Sequence, residues 1–169
     1  MPGHPIAGAE RTGPDAADPG LYRGRTVILT PLAENSVQSV DLVRRAWQAC
    51  GASVIDMDAG SHDRLLASVS HLPHLLSAVY MEQVATAADA RTRLDLAGSG
   101  FRDFTRIAAG SPEMWRDIFL SNRDAMLAEL ADVRAVLDRA ERAIADGDDA
   151  ALLALLETAA EARRNWRKE

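Results

Sequence analysis

Residues 53–80 read SVIDMDAGSHDRLLASVSHLPHLLSAVY, and the character of the chain changes in the middle of them. Ser53 to Met57 is a short apolar, β-branched run of the kind that forms a strand. From His62 onward, Leu65, Leu66, Val69, Leu72, Leu76, Val79 and Tyr80 recur at helical spacing. That spacing predicts one helix from His62 to about Ala88, kinked at Pro73, which removes a backbone donor. Ser61 or Asp63 would complement its positive end.

Upstream, Thr26 to Thr30 is a second β-branched run, stopped by Pro31. Asn35 or Ser36 would cap a helix carrying Val37, Val40, Val43, Ala46 and Trp47, with Gly51 ending it. Residues 1–24 are rich in Gly, Pro, Ala and Asp and predict a loop without strand or helix period. Two short strands and one helix cannot cover both sheet faces. Residues 1–60 are therefore expected to be the far end of an α/β sheet.

Downstream the chain reads as helix. Residues 89–100 are mixed, with a flexible break at Gly98-Ser99-Gly100, and Phe101 to Ala108 is a short helix. Pro112 to Ile144 is a long one, capped by Ser111 with Pro112 in its first turn. Met126, Leu127, Leu130, Val133, Val136, Leu137, Ala140 and Ile144 form its apolar stripe. After a turn at 146–149, a closing helix from Ala150 to Trp166 should place Leu152, Leu153, Leu155, Leu156 and Ala159 inward. Trp47 and Trp166 read as helix-packing residues. The fold class is mainly α: an α/β segment at 1–60, then an all-α domain at 61–169.

Composition narrows the function. The 169 residues carry a net charge of −6, which argues against a nucleic-acid surface. No apolar run approaches a bilayer span, no secretory signal is visible, and Cys50 is the single cysteine, so a cytoplasmic protein without an intrachain disulfide is expected. No Gly-x-Ser-x-Gly, Cys-x-x-Cys or phosphate-binding Gly-x-x-x-x-Gly-Lys occurs, and no Gly-x-Gly-x-x-Gly follows a strand.

The four histidines are concentrated in three motifs: His4-Pro5-Ile6-Ala7-Gly8, Ser61-His62-Asp63 and Ser70-His71-Leu72-Pro73-His74. A fourth motif, Gly100 to Arg106 followed by Met114-Trp115-Arg116-Asp117, adds cations and an indole. An imidazole near its ordinary pKa is a competent base at neutral pH. A guanidinium such as Arg106 grips a carboxylate through two parallel hydrogen bonds, and Arg102, four residues earlier, would point to the same side of a helix. Asp103 and Glu10 are placed to orient Arg106. His71 and His74 share a helix face at a spacing also used by metal sites, but no third or fourth ligand accompanies them, so no metal is expected. Trp115 is placed to close a cleft.

In that order the motifs resemble the prephenate/arogenate dehydrogenase family, from Gly3 to about Asn122. The resemblance implies a helical dimerisation domain preceded by the end of a truncated Rossmann-type domain. It implies NAD- or NADP-dependent oxidative decarboxylation of prephenate to 4-hydroxyphenylpyruvate, or of arogenate to tyrosine, in tyrosine biosynthesis. His4 would be the catalytic base on the ring hydroxyl. Arg106 would bind the substrate carboxylate, His74 would face the substrate side chain, and Arg102 and Trp115 would assist. His62 would lie near the cofactor and substrate cleft, and His71 would support the packing between domains; read from the residues alone, His71 is a hydrogen-bonded core histidine. The partner implied is a second copy, in an interleaved homodimer. The alternative is a catalytically incompetent fragment serving as a helical dimerisation module, unable to bind nucleotide.

Overall fold

The computed structural model describes residues 1–8 and 13–166. Helices take up 69% of the described residues and the described sheet has only three strands, as the mainly-α expectation requires. Two compact units are distinguished, Met1–Met126 and Leu127–Glu169.

In the first unit the sheet has the order β1 (Gly3–Pro5), β2 (Thr26–Leu29), β3 (Ser53–Asp56). β2 and β3 are parallel and joined through α1 (Val37–Ala49), as a strand–helix–strand unit demands. Ser36 caps α1 through its side chain, which accepts from the Ser39 amide, and Gly51 follows at φ 83°, a conformation open to glycine. Val27 and Leu29 are fully buried, with Ala52, Tyr22, Val43, Trp47 and Val54 packed around them. Trp47 thus packs its helix to the sheet, edge-on to Tyr22 at 5.1 Å.

β1 departs from expectation. The His4 segment is not a loop but an edge strand, antiparallel to β2, with His4 opposite Ile28. Three residues containing a proline carry no readable period, and the strand exists because β2 offers its free edge. Pro5 takes a place where a strand tolerates a missing amide. Gly3 lies close to the core: a Cβ there would meet Leu29 Cδ2 at 3.1 Å.

The long helix is also built differently. α2 (Ala59–Leu66) runs into a π turn (Ala67–His71), and α3 (Leu72–Ala85) continues from it. The Leu72 amide bonds the Ala67 carbonyl five residues back. The wide turn absorbs Pro73, which sits in the first turn of α3, where a missing N–H matters least. Asp58, not Ser61 or Asp63, caps α2: its carboxylate accepts from the Ser61 amide at 2.9 Å.

α4 (Ala90–Asp95) and α5 (Ser99–Thr105) follow, so Ser99 and Gly100 form the first turn of a helix instead of a break. A 3-10 turn, Arg106–Ala109, completes the stretch read as one helix. Ser77, fully buried on α3, donates its hydroxyl to the Phe104 carbonyl at 2.9 Å and ties α5 down. α6 (Pro112–Ser121) is capped by Ser111 as expected. Asn122 separates it from α7 (Arg123–Asp146), so the long helix read at 112–144 is two.

In the second unit α7 turns at Gly147 (φ 65°) into α8 (Asp149–Asn165), capped by Asp148. Leu152 and Leu155 are partly buried, but Leu153 and Leu156 are 51% and 55% exposed and Ala159 is also exposed. A helix with one neighbour covers only one stripe, and the adjacent face stays out. Trp166 is exposed as well, with the Arg163 guanidinium 5.0 Å from its ring.

Candidate active site

The four histidines, spread over 71 positions of sequence, converge on one region of the first unit. β1 carries His4 to the sheet edge. α2 begins just beyond the end of β3 and presents His62 in its first turn. The two rings meet edge-on, with His4 Nδ1 2.9 Å from His62 Nε2. On its other side, His62 Nδ1 donates to the Asp63 carboxylate at 2.9 Å.

His71 ends the π turn and His74 opens α3. His74 donates Nδ1–H to the Ser70 carbonyl at 2.9 Å, which fixes its ring and leaves Nε2 as an acceptor. Its ring stacks on Trp115, centroids 3.6 Å apart and planes 23° from parallel. Trp115 is held on α6 by the Ser111 cap, and Phe119 lies 5.6 Å along the same helix face. His71 meets the same indole edge-on at 6.5 Å. Asn122 binds the group together: its Nδ2 donates to the Asp63 carbonyl at 2.7 Å and to His71 Nδ1 at 3.2 Å.

Partial burial lowers the pKa of His4 below the usual 6.5, and the neighbouring His62 lowers it further. His71 is lowered for the same first reason, with His4 and His62 next. Both rings are therefore neutral at pH 7, the state a base requires. Hydrogen bonds from Ser61 lower the Asp58 carboxyl, which keeps the α2 cap charged.

A cavity of about 460 Å³ opens beside the stack, lined by His74, Ile107, Gly110, Trp115, Arg116 and Phe119 among others. Its walls are chiefly apolar and aromatic, suited to a small ring-bearing ligand. A second, of about 430 Å³, is lined by Asp63, His71, Asp117 and Asn122. Arg106 is exposed at the head of the 3-10 turn, one residue before Ile107. Arg102 lines a different cavity, of about 420 Å³, with Met81, Leu94 and Phe101, and Asp103 is exposed on α5. Glu10 lies outside the described residues. No cluster of three or more metal-ligating side chains occurs among the described residues.

The structure adds Asp63 and Asn122 to the residues singled out in sequence. Asp63 adjoins His62 in the motif, so the signal was present. Asn122 stands 51 positions from His71, and only folding brings them together.

The family model described as prephenate dehydrogenase, dimerization domain, matches residues 58–158, and that described as prephenate dehydrogenase, nucleotide-binding domain, matches 1–56. The chain belongs to the prephenate dehydrogenase family. A cyclohexadienyl dehydrogenase of Zymomonas mobilis is 39% identical over 154 residues, covering 88% of this chain and 52% of the relative. A prephenate dehydrogenase of Bacillus subtilis is 32% identical over 162 residues, covering 95% of this chain and 44% of the relative. The chain thus spans about half the length of the curated relatives it matches. Among solved structures, prephenate dehydrogenase of Aquifex aeolicus in complex with hydroxyphenyl propionate and NAD+ superposes with TM-score 0.90 at 33% identity, over 96% of this chain and 57% of that one. The seam between the two prephenate dehydrogenase models falls between Asp56, the last residue of β3, and Asp58, the cap of α2.

Proposed function

We propose that this chain acts in the NAD- or NADP-dependent oxidative decarboxylation of prephenate to 4-hydroxyphenylpyruvate, or of arogenate to tyrosine. The observation that carries the reading is the convergence of His4, His62, His71 and His74 beside a Trp115-walled cavity. In this reading His4 accepts the proton of the ring 4-hydroxyl, and the O–H electron pair stays on oxygen. Arg106 clamps a carboxylate. His74 offers Nε2 to the ligand side chain, and Trp115 shields the ring from water. The nicotinamide cofactor supplies the hydride acceptor when bound. No glycine-rich turn follows a strand among the described residues, so none of them is assigned to hold its pyrophosphate.

The partner is a second copy of the chain, in keeping with a dimerization-domain match over 58–158. Leu127, Leu137, Ile144, Leu153 and Leu156 all lie more than half exposed on α7 and α8, a larger apolar display than a monomer usually leaves in water. No helix among the described residues is long and apolar enough to cross a membrane. The exposed thiol of Cys50 fits a reducing cytoplasmic setting.

The test is reduction of NAD or NADP by the purified chain with prephenate or arogenate, alongside His4→Asn. Reduction that the variant loses supports the reading. Prephenate binding without reduction supports the substrate assignment alone. Neither binding nor reduction would leave the helical dimerisation module as the function.

A further inference from the structure

We propose that Asp63 is a positioning residue that sets, through His62, which nitrogen of His4 carries the proton. An ionised carboxylate only accepts, so the 2.9 Å contact makes His62 Nδ1 the protonated nitrogen. A neutral imidazole has one N–H, so His62 Nε2 is left with a lone pair. His4 Nδ1 lies 2.9 Å from that lone pair and must donate to it. The neutral His4 ring then has its own lone pair on Nε2, the nitrogen turned away from His62. Each assignment forces the next, and the chain begins at Asp63.

The consequence is specific. An unconstrained neutral imidazole favours the opposite tautomer, with the proton on Nε2. A His4 in that form would offer Nε2 as a donor and could not take a proton there. With the Asp63 relay in place, the proton of a ligand hydroxyl passes to Nε2, the O–H bond breaks as Nε2–H forms, and the positive charge of His4 faces His62, itself backed by the carboxylate. This is the logic of the carboxylate–histidine pair in serine hydrolases, lengthened by one ring. Asp63 is well anchored for it. Its own main-chain carbonyl accepts from Asn122 at 2.7 Å, a bond independent of the carboxylate.

The functional meaning rests on reading His4 as the base, but the tautomers can be measured without turnover. The experiment is long-range proton–nitrogen correlation NMR on the uniformly nitrogen-15-labelled chain, at a pH where the rings are neutral. The histidine signals are assigned with His4→Asn and His62→Asn. The expected result is a protonated Nδ1 and a bare Nε2 on both His4 and His62. In Asp63→Ala the acceptor for His62 Nδ1–H is gone, so the protonated Nδ1 signals of His62 and His4 should fall and Nε2–H forms appear. Backbone amide shifts confined to the neighbourhood of Asp63 would show that the fold is kept. His62→Asn should release His4 alone. A protonated Nε2 on His4 in the parent chain, or unchanged tautomers in Asp63→Ala, would overturn the proposal. Either outcome leaves the assay for nicotinamide reduction to judge the activity separately.

Discussion

His4 illustrates how much a single side chain depends on what lies beside it. Its neutral state follows first from partial burial and then from His62. A lowered histidine pKa means that the unfolded chain binds more protons than the folded one below about pH 6.5. The contribution of His4 and His71 to stability is therefore complete above that pH and declines as pH falls through the unfolded value toward the lower folded one. Thermal unfolding should show a midpoint that drops on acidification through this window, and His71→Asn should flatten the drop. For activity, His4→Asn should reduce kcat about 10²- to 10⁴-fold, the usual yield of a positioned base. Gly110 offers a sharper steric test. A Cβ there would meet Trp115 Nε1 at 2.6 Å and Cδ1 at 3.0 Å, whereas its φ of −65° is open to any residue. Gly110→Ala should push the indole off His74. Tryptophan fluorescence would report the shift, and a shifted spectrum with unchanged prephenate binding would remove Trp115 from the site.

The helices show where local rules suffice. Ser36, Ser111 and Asp148 each accept from a backbone amide of their helix's first turn, as capping chemistry predicts. Ser111→Ala should cost about 1 kcal/mol, a fall in Tm of roughly 2–4 °C for a domain of this size. It should also loosen Trp115, which lies in the first turns of the helix that Ser111 starts. The π turn at Ala67–His71 shows where such rules run short. Pro73 predicts a disturbance, but not whether the chain bends or widens. Widening keeps the helix going and places His71 toward Trp115 and Asn122. β1 was illegible for a different reason. Strand pairing is a contract between distant residues, and Gly3–Pro5 has no pattern of its own until β2 lies alongside.

For the molecule as a whole, the apolar residues outnumber the places one chain has to bury them. Leu153 and Leu156 point out from α8, and Leu137 and Ile144 from α7. Replacing Leu153 and Leu156 together with Asp should convert the proposed dimer to monomer, read by light scattering during size-exclusion chromatography. A dimer that survives would move the interface elsewhere on the helices.

The histidine motifs and most of the helices were legible in the one-dimensional pattern, because helical spacing, caps and motifs are local and carry their own signals. The order of strand–helix–strand then helix was legible for the same reason. What needed the folded chain was which of those residues meet. His4 reaches His62 across 58 positions, Asn122 reaches His71 across 51, and Ser77 reaches Phe104 across 27. Those contacts follow from how β1, the π turn and the α6–α7 junction pack, and packing is a property of surfaces that no window of sequence contains.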